Sequence, residues 1–432
     1  MQRALGVVFV LSLAMCFAGQ AIAAAPAQAP PPALDDESSS LPRYMTEEEK
    51  LLPLPSVTRE DYLGRTPPIG TVRCPAEYEH QEGLFIAWEG YTTLLTSMVV
   101  GITANDPDAI VYVVVDTTLE QTTAYNTLSS SGADMSQVVF ILRTTDTVWI
   151  RDYGPRFIFE DADRAIIDHV YNRPRPNDDA LNDYISTLWG ETQYDIPLYH
   201  GGGNFHLFSN GEAFMTGLIL EENPSRTEQD IKDLYRDYQN LDLTIYPPFR
   251  DVYDSTNHID MWMFPVDDHT VIIGQYPSGA TVEYNITENA AADLAARGYT
   301  VYRTPGWNSG GTGGGGTHYT YTNAVVINDR VFISRFGGSY TSQDAQALSV
   351  FQTAFPGKTI TQLDSASIIT AAGAMHCIVM HVPVLGLTVT PIGEQASEGP
   401  EGGPFTPDSV DYLLANTSDS AIGYNVTTAP PG

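Results

Sequence analysis

Five short clusters of polar and glycine residues stand near the starts of predicted strands, where a buried core would not favour them. Their residue types suit catalysis better than packing. If the elements that carry them are arranged around one axis, the clusters converge on a single site. They are Val148–Pro155, His200–Asn204, Asn257–Asp260, Gly310–His318 with the following Tyr321–Asn323, and Gly373–Cys377.

Four of these side chains could together break a carbon–nitrogen bond of a guanidinium group. Asp152 and Asp260 could hold the group, because its planar donors match carboxylates two at a time. Cys377 could attack the central carbon as a thiolate, forming an S-alkylthiouronium, and a bound cation would favour that thiolate. His258 could protonate the departing ammonia and then activate water. Since His258 and Asp260 alternate along a predicted strand, we expect their side chains to share one face.

Each cluster also has a structural interpretation. A lone cysteine is most often a small buried hydrophobic residue, and Trp149–Pro155 could be a turn with a salt bridge. The glycine run at 310–316 lacks the Lys-Ser/Thr ending of a phosphate-binding loop and could be a flexible loop. Cys, His and Asp also serve acyl transfer, so a cysteine peptidase is one alternative. A peptide binder without catalysis is another.

The first 56 residues are not expected to belong to the folded domain. Arg3, the apolar stretch Ala4–Ala18 and the sequence Ala21-Ile22-Ala23 form a signal-peptide pattern, which predicts a signal over residues 1–23 and a secreted or periplasmic protein. Residues 24–56 are rich in Pro, Ala, Ser and acidic residues, which predicts a disordered leader. No run of about 18 apolar residues follows, so we expect no membrane span in the mature protein.

Composition limits the partners and the role of the cysteines. The net charge is −32, with 53 acidic against 21 basic residues, so the surface repels nucleic acid and attracts cations. Once Cys16 leaves with the signal peptide, Cys74 and Cys377 remain. These two could pair, but the chemistry described above requires the Cys377 thiol to be free.

Predicted strands alternate with predicted helices, which indicates an α/β fold. A hairpin followed by a helix recurs at intervals of roughly 60 to 70 residues, which favours several similar modules in one domain. Helices are predicted from Thr227, from Thr287 to Gly298, and between Ser342 and Pro356. We expect residues 392–432 to form a linker and a fragment of a β-sandwich-like module. The predicted strands are Gly83–Trp88, Ala109–Val115, Gln137–Leu142, Asn204–Phe208, Ala213–Thr216, His258–Phe264, Thr270–Gly274, Tyr321–Ile327 and Val331–Arg335.

The motifs resemble those of the bacterial peptidylarginine deiminases of the Porphyromonas type, a group similar to the agmatine deiminases. The resemblance covers roughly residues 57–390, and the motifs appear in family order. It implies a five-bladed β/α-propeller as the catalytic domain over 57–391, and hydrolysis of arginine to citrulline and ammonia. The motifs are Trp149–Pro155, Gly201–Asn204, His258–Asp260, Tyr321–Asn323 and Gly373–Cys377.

The same resemblance implies a role for each matching residue. Cys377 is the implied nucleophile and His258 the implied general acid and base. Two guanidinium ligands, Asp152 and Asp260, are implied as well. It also implies an active-site position for Asn323, contact between Trp149 and the aliphatic stem of the substrate, and catalysis without a metal or other cofactor.

Two arginines narrow the range of substrates that the sequence predicts. Arg173 and Arg175 stand two apart in a Pro-spaced loop, and such a pair can clamp one carboxylate. The resemblance implies that this pair receives the terminal carboxylate of the substrate. Agmatine has no carboxylate, so we expect arginine-containing peptides as partners, with deimination of agmatine, a small guanidino compound, as the alternative. The pair could instead lie in a solvent-exposed loop beside Asp178 and Asp179.

Overall fold

The computed structural model describes residues 40–54, 66–104, 106 and 109–385, and the backbone of two strands at 387–392 and 411–416. All of these residues belong to one compact unit, Asp36–Gly432. The predicted signal peptide at 1–23 lies outside the described residues, so secretion stays a prediction. Among the described residues, no helix is both long and apolar enough to cross a membrane.

The strands are short, and most of their residues are buried. They are β1 (Val72–Arg73), β2 (Gln81–Ala87), β3 (Ile110–Val115), β4 (Val138–Leu142), β5 (Arg156–Glu160), β6 (Asp163–Tyr171), β7 (Thr192–His200), β8 (His206–Leu207), β9 (Glu212–Thr216), β10 (Asp242–Tyr246), β11 (Met263–Asp267), β12 (Thr270–Gln275), β13 (Thr300–Asn308), β14 (His318–Thr320), β15 (Val325–Ile327), β16 (Arg330–Arg335), β17 (Thr359–Asp364), β18 (Met380–Pro383), β19 (Leu387–Ile392) and β20 (Asp411–Asn416).

Helices separate the strands along the chain, and the longer ones pack on the sheets. They are α1 (Thr92–Thr103), α2 (Thr118–Ser130), α3 (Ile150–Tyr153), α4 (Pro176–Asp179), α5 (Leu181–Trp189), α6 (Leu218–Glu222), α7 (Glu228–Gln239), α8 (Thr281–Ala296) and α9 (Thr341–Ala354).

Five sheets of three or four strands repeat one pairing pattern in the described part of the chain. In each sheet, an antiparallel pair is followed by a parallel neighbour, as in β8–β9–β10 and β15–β16–β17. The connection between the two parallel strands contains a helix, as expected for a crossover connection. The repeated pattern agrees with the α/β class and with the similar modules predicted from the sequence. A sixth, two-stranded sheet pairs β19 with β20.

Most predicted strands are present with small shifts at their ends, but the stretch predicted as a strand over His258–Phe264 is different. Residues Ile259–Met261 form a 3-10 helix instead, and β11 begins at Met263. The preceding Asn257 has a φ of +57°, which ends extended backbone there. His258 and Asp260 therefore do not alternate along a strand, although both remain buried.

Three further elements differ from their predictions. The strand predicted over Tyr321–Ile327 is reduced to β15, Val325–Ile327. The strand predicted over Asn204–Phe208 is reduced to β8, because Gly202–Asn204 form a 3-10 helix. Thr287 does not begin a helix; it lies inside α8, where its hydroxyl donates to the carbonyl of Glu283 at 3.0 Å. By contrast, α7 begins as predicted, with Thr227 and Asp230 forming a capping box.

Residues 40–54, which we call the N-terminal strap, lie against the catalytic domain, although the composition of 24–56 predicts a disordered leader. A 3-10 helix at Glu49–Leu51 follows the reciprocal hydrogen bonds between Thr46 and Glu49. The strap is ordered because ion pairs fix it at two points: Arg43 is fully buried, and Glu49 pairs with the buried Arg175 at 2.8 Å. Charged residues that suggest a solvated leader therefore hold this segment in place.

Candidate active site

Segments from different modules meet at one buried site. Asp152 lies in α3, and the 3-10 helix Gly202–Asn204 passes beside it, so that the backbone N–H of Gly203 donates to its carboxylate at 3.0 Å. His258 and Asp260 come from the 3-10 helix that precedes β11, and Cys377 from a 3-10 helix that precedes β18. Short turns at the strand ends thus bring together side chains that are far apart in sequence.

A guanidinium group from the chain itself occupies the centre of this site. Arg43 Nε and Nη2 donate to the two oxygens of Asp152 at 2.9 and 2.8 Å. Its Nη1 and Nη2 donate to the two oxygens of Asp260 at 3.2 and 3.0 Å. The same nitrogens lie 2.6 Å from Cys377 Sγ and 2.6 Å from His258 Nδ1, respectively. The four predicted catalytic groups therefore surround one guanidinium, as the sequence argument requires.

Asn323 fixes the loop that carries Cys377. Its side-chain oxygen accepts from the backbone N–H groups of Ala374 and His376 at 3.1 and 3.0 Å. Its Nδ2 donates to Cys377 Sγ at 3.0 Å. Asn323 therefore contacts the Cys377 sulfur and holds the turn in which that sulfur stands. Both cysteines in the described residues, Cys74 and Cys377, are free.

A buried chain of charges behind Asp260 was not found from the sequence. His376 Nδ1 lies 2.9 Å from a carboxylate oxygen of Asp260, and its Nε2 lies 3.1 Å from one of Glu77, so the ring bridges the two carboxylates. Arg151 places a cation 2.7 Å from Glu77. His376 precedes Cys377 in its motif, which is a usable signal; Glu77 is 299 residues away from His376 and gives none.

Besides Asp152 and Asp260, the other three predicted substrate-binding residues also contact the strap. The Trp149 indole donates to the carbonyl of Leu41 at 2.8 Å, and Arg173 Nε donates to the carbonyl of Arg43 at 3.1 Å. Arg175 Nη2 donates to the carbonyl of Pro42 at 2.7 Å. Arg173 and Arg175 are buried, so they do not form the solvent-exposed loop that the sequence left open.

The charge states of the site follow from burial and from the guanidinium. Burial raises the pKa of Asp152, but the charges of Arg43 and His258 outweigh it and lower that pKa to about 2. The pKa of Asp260 is likewise held low by Arg43 and His376, against the effect of burial. Burial lowers the pKa of His258 to about 4, and Arg43 acts in the same direction. Burial raises the pKa of the Cys377 thiol, and Arg43 opposes that rise.

These pKa values predict a pH-dependent stability that Asp152 carries. A shift to about 2 from about 3.9 in the unfolded chain is worth roughly 3 kcal/mol of the unfolding free energy. Because the folded pKa is depressed, this contribution is fully present above about pH 5 and is lost as the pH falls through about 2. We expect the stability difference between Cys377→Ser and the double variant Cys377→Ser with Asp152→Asn, both of which keep the Arg43 guanidinium, to shrink over this interval when measured by denaturant unfolding. A difference independent of pH would contradict the assignment.

Two groups of side chains have the residue types of a metal site in the described part of the chain. Glu77, His206 and His376 form one, and Glu89, Asp116 and Glu120 form the other. In the first group, Arg151 already balances Glu77, and His376 bridges Glu77 to Asp260, so the set serves better to position Asp260 than to hold a cation. The prediction of catalysis without a metal stays a prediction.

Solved structures with the same fold include two deiminases. The crystal structure of a putative arginine deiminase from Porphyromonas gingivalis has a TM-score of 0.62 and 18% identity, covering 72% of this chain and 98% of that one. The agmatine deiminase of Enterococcus faecalis has a TM-score of 0.61 and 18% identity, covering 74% of this chain and 99% of that one. At this identity the likeness establishes the fold.

Sequence relatives extend over most of the same region. A putative agmatine deiminase of Streptomyces avermitilis is 23% identical over 267 residues, which cover 56% of this chain and 76% of the relative. A putative agmatine deiminase of Marinomonas sp. is 23% identical over 368 residues, which cover 74% of this chain and 97% of the relative. The family model for Porphyromonas-type peptidyl-arginine deiminases matches residues 73–383.

Fold, relatives and family model together define a hydrolase of the deiminase type that acts on guanidino groups. The chain belongs to the Porphyromonas-type peptidyl-arginine deiminase family. This membership confirms the resemblance drawn from the five motifs, and it disfavours the cysteine peptidase and the non-catalytic binder.

Proposed function

We propose that the enzyme hydrolyses arginine in peptides to citrulline and ammonia, with a preference for arginine at the C-terminus. One observation carries the proposal. Arg43, an arginine within a peptide segment, has its guanidinium among Asp152, Asp260, His258 and Cys377 while its backbone carbonyl accepts from Arg173 at 3.1 Å. In a peptide that ends with arginine, a carboxylate oxygen would take the place of this carbonyl.

Arg175 supports a preference for a carboxylate. Its Nε and Nη2 donate to the two oxygens of Glu49 at 2.8 and 3.2 Å, a two-point contact that suits a planar carboxylate. Agmatine carries no group that could use either Arg173 or Arg175. We also propose that the repeated sheets are the five blades of the propeller implied by the motifs, with the site on the central axis.

The first half of the reaction forms a carbon–sulfur bond and releases ammonia. His258 is neutral near pH 7, because its pKa is about 4, and it can accept the Cys377 proton. The thiolate attacks the guanidinium carbon, giving a neutral tetrahedral adduct held by Asp152 and Asp260. His258 lies 2.6 Å from Nη2, so it returns the proton there. The carbon–Nη2 bond breaks, ammonia leaves, and a cationic S-alkylthiouronium remains.

The second half uses water. Neutral His258 takes a proton from the water, and the hydroxide adds to the thiouronium carbon. The carbon–sulfur bond then breaks, the electron pair returns to Cys377, and the product loses a proton to become an uncharged ureido group. In total, one guanidinium and one water give one ureido group and one ammonium ion. Because the site would hold the guanidinium carbon beside the Cys377 sulfur, the attack is effectively unimolecular.

Deimination of agmatine is the second candidate, because curated relatives are described as putative agmatine deiminases. Turnover on a peptide ending in Arg, on free arginine and on agmatine distinguishes the two, with ammonia release and citrulline as readouts. We expect the highest kcat/KM with the peptide. Turnover of agmatine without citrulline formation from the peptide would contradict the proposal.

Replacing the two arginines tests carboxylate recognition. We expect Arg173→Ala with Arg175→Ala to raise the KM for a C-terminal-Arg peptide by at least about tenfold, because a buried charge pair is lost. The KM for agmatine should not rise. Both measurements are best made with Arg43→Gln present, since Arg43 otherwise occupies the same pocket. An equal rise for both substrates would mean that the two arginines do not select a carboxylate.

A further inference from the structure

The strap fills the substrate site with groups of the right chemistry. Arg43 is fully buried, in a chain that has only 21 basic residues. Its guanidinium nitrogens contact both carboxylates, the sulfur and the imidazole. An unmatched buried guanidinium would be costly, and the two carboxylate partners offset the cost of burying Arg43 in this site.

The backbone around Arg43 is recognised as well. Its N–H donates to the carbonyl of Ala371 at 3.0 Å, and its carbonyl accepts from Arg173. Arg175 bonds the carbonyls on either side, at Pro42 and Tyr44, at 2.7 and 3.3 Å. The site therefore grips a peptide on both sides of the arginine, as it would grip a substrate.

We propose that Arg43 is the enzyme's own first substrate and is converted to citrulline within the same chain. The proposal rests on the function proposed above and adds a modification site to it. The Cys377 sulfur bonds to the Arg43 guanidinium carbon, the carbon–Nη2 bond breaks, and ammonia leaves with the proton held by His258. Water then replaces the sulfur, leaving a ureido group on residue 43 and a free thiol.

Conversion removes the charge that holds the strap. A ureido group is uncharged, so Asp152 and Asp260 lose their cationic partner. Asp152 keeps the N–H of Gly203 and Asp260 keeps His376, but the loss of the cation that the two buried carboxylates share favours water over the strap. The far end of the strap is already exposed, with Leu51 85% and Leu52 55% accessible. Self-conversion therefore opens the site to an external peptide.

Peptide mass mapping of the full chain tests the modification. We expect citrulline at position 43 in wild type and arginine at that position in Cys377→Ser and Cys377→Ala, each checked for folding by circular dichroism. Mixing Cys377→Ser with an excess of active Arg43→Gln tests whether the reaction occurs within one chain. Arg43 of the inactive chain should then stay arginine. Its conversion in the mixture would overturn the intramolecular assignment.

A matched pair of variants tests whether residue 43 competes with an external peptide for the site. Arg43→Lys keeps a cation that cannot be deiminated, whereas Arg43→Gln is uncharged like the product. We expect the KM for a C-terminal-Arg peptide to be at least about tenfold higher in Arg43→Lys, because the free site is less populated. Converted wild type should match Arg43→Gln. Equal KM values in the two variants would contradict the proposal.

Failure of this inference differs from failure of the proposed function. If Arg43 stays arginine in wild-type protein that converts an external arginine peptide, only the self-conversion is overturned. If neither wild type nor Arg43→Gln converts any peptide, both are overturned.

Discussion

Replacing Cys377 with serine in the Arg43→Gln background should reduce guanidino turnover by at least about 10⁴-fold, because the nucleophile is lost while the binding groups remain and Arg43 no longer occupies them. The serine hydroxyl keeps a similar position and can still accept from Asn323, which donates to the sulfur at 3.0 Å. Its proton is far harder to remove, so neutral His258 cannot generate the nucleophile. The initial rate of ammonia release from a C-terminal-Arg peptide measures the loss.

Cys74 provides the matched control. It is free and buried like Cys377, but its thiol donates to the carbonyl of Gln239 at 3.2 Å, and burial raises its pKa to about 12. We expect Cys74→Ser to keep full turnover. Rapid acid quenching with substrate should trap the thiouronium adduct on the peptide that contains Cys377. An adduct on Cys74, or full activity in Cys377→Ser, would refute the assignment of the nucleophile.

The sequence alone singled out the four side chains that surround the Arg43 guanidinium, because each stands in a short local motif. Asp152, His258, Asp260 and Cys377 occupy turns at strand ends, and the structure brings all four to one guanidinium. Their residue types could be recognised without knowing the backbone. The conformation could not, since the predicted strand at His258 is a 3-10 helix fixed by Asn204, whose side chain accepts from the N–H of Ile259 at 3.2 Å.

Long-range contacts explain what the sequence did not reveal. Glu77 and His376 support Asp260 through a pairing that spans 299 residues, so no local sequence pattern predicts this pairing. Arg43 lies in a Pro-rich and acidic stretch whose composition indicates a disordered leader. What orders it is a set of partners more than 100 residues away, including Asp152 and Asp260. The composition of the segment indicates only how favourably its residues interact with water on average. The position of the strap depends instead on the contacts of one buried guanidinium.

Replacing Gly203 with alanine should lower kcat/KM for every guanidino substrate by at least about a hundredfold. A Cβ at this position would lie 1.7 Å from Arg43 Nη2, and 2.7 and 2.8 Å from the nearest oxygens of Asp260 and Asp152. Guanidinium and methyl group cannot occupy the same place, and both carboxylates are held by other bonds. The substrate must therefore shift away from Cys377, and a displacement of about 1 Å suffices for a loss of this size.

Gly313→Ala is the control for the effect of the substitution itself, because the glycine run that contains it packs on Val252 and Asn308, away from the predicted position at the site. A Cβ at Gly313 meets no atom within 4 Å, and its backbone is not in the left-handed region, so activity should be unchanged. Because Gly203→Ala also excludes Arg43, position 43 should remain arginine in that variant and the strap should become accessible to limited proteolysis. Normal turnover in Gly203→Ala would mean that the guanidinium does not bind where Arg43 places it, and the site would then have to lie elsewhere.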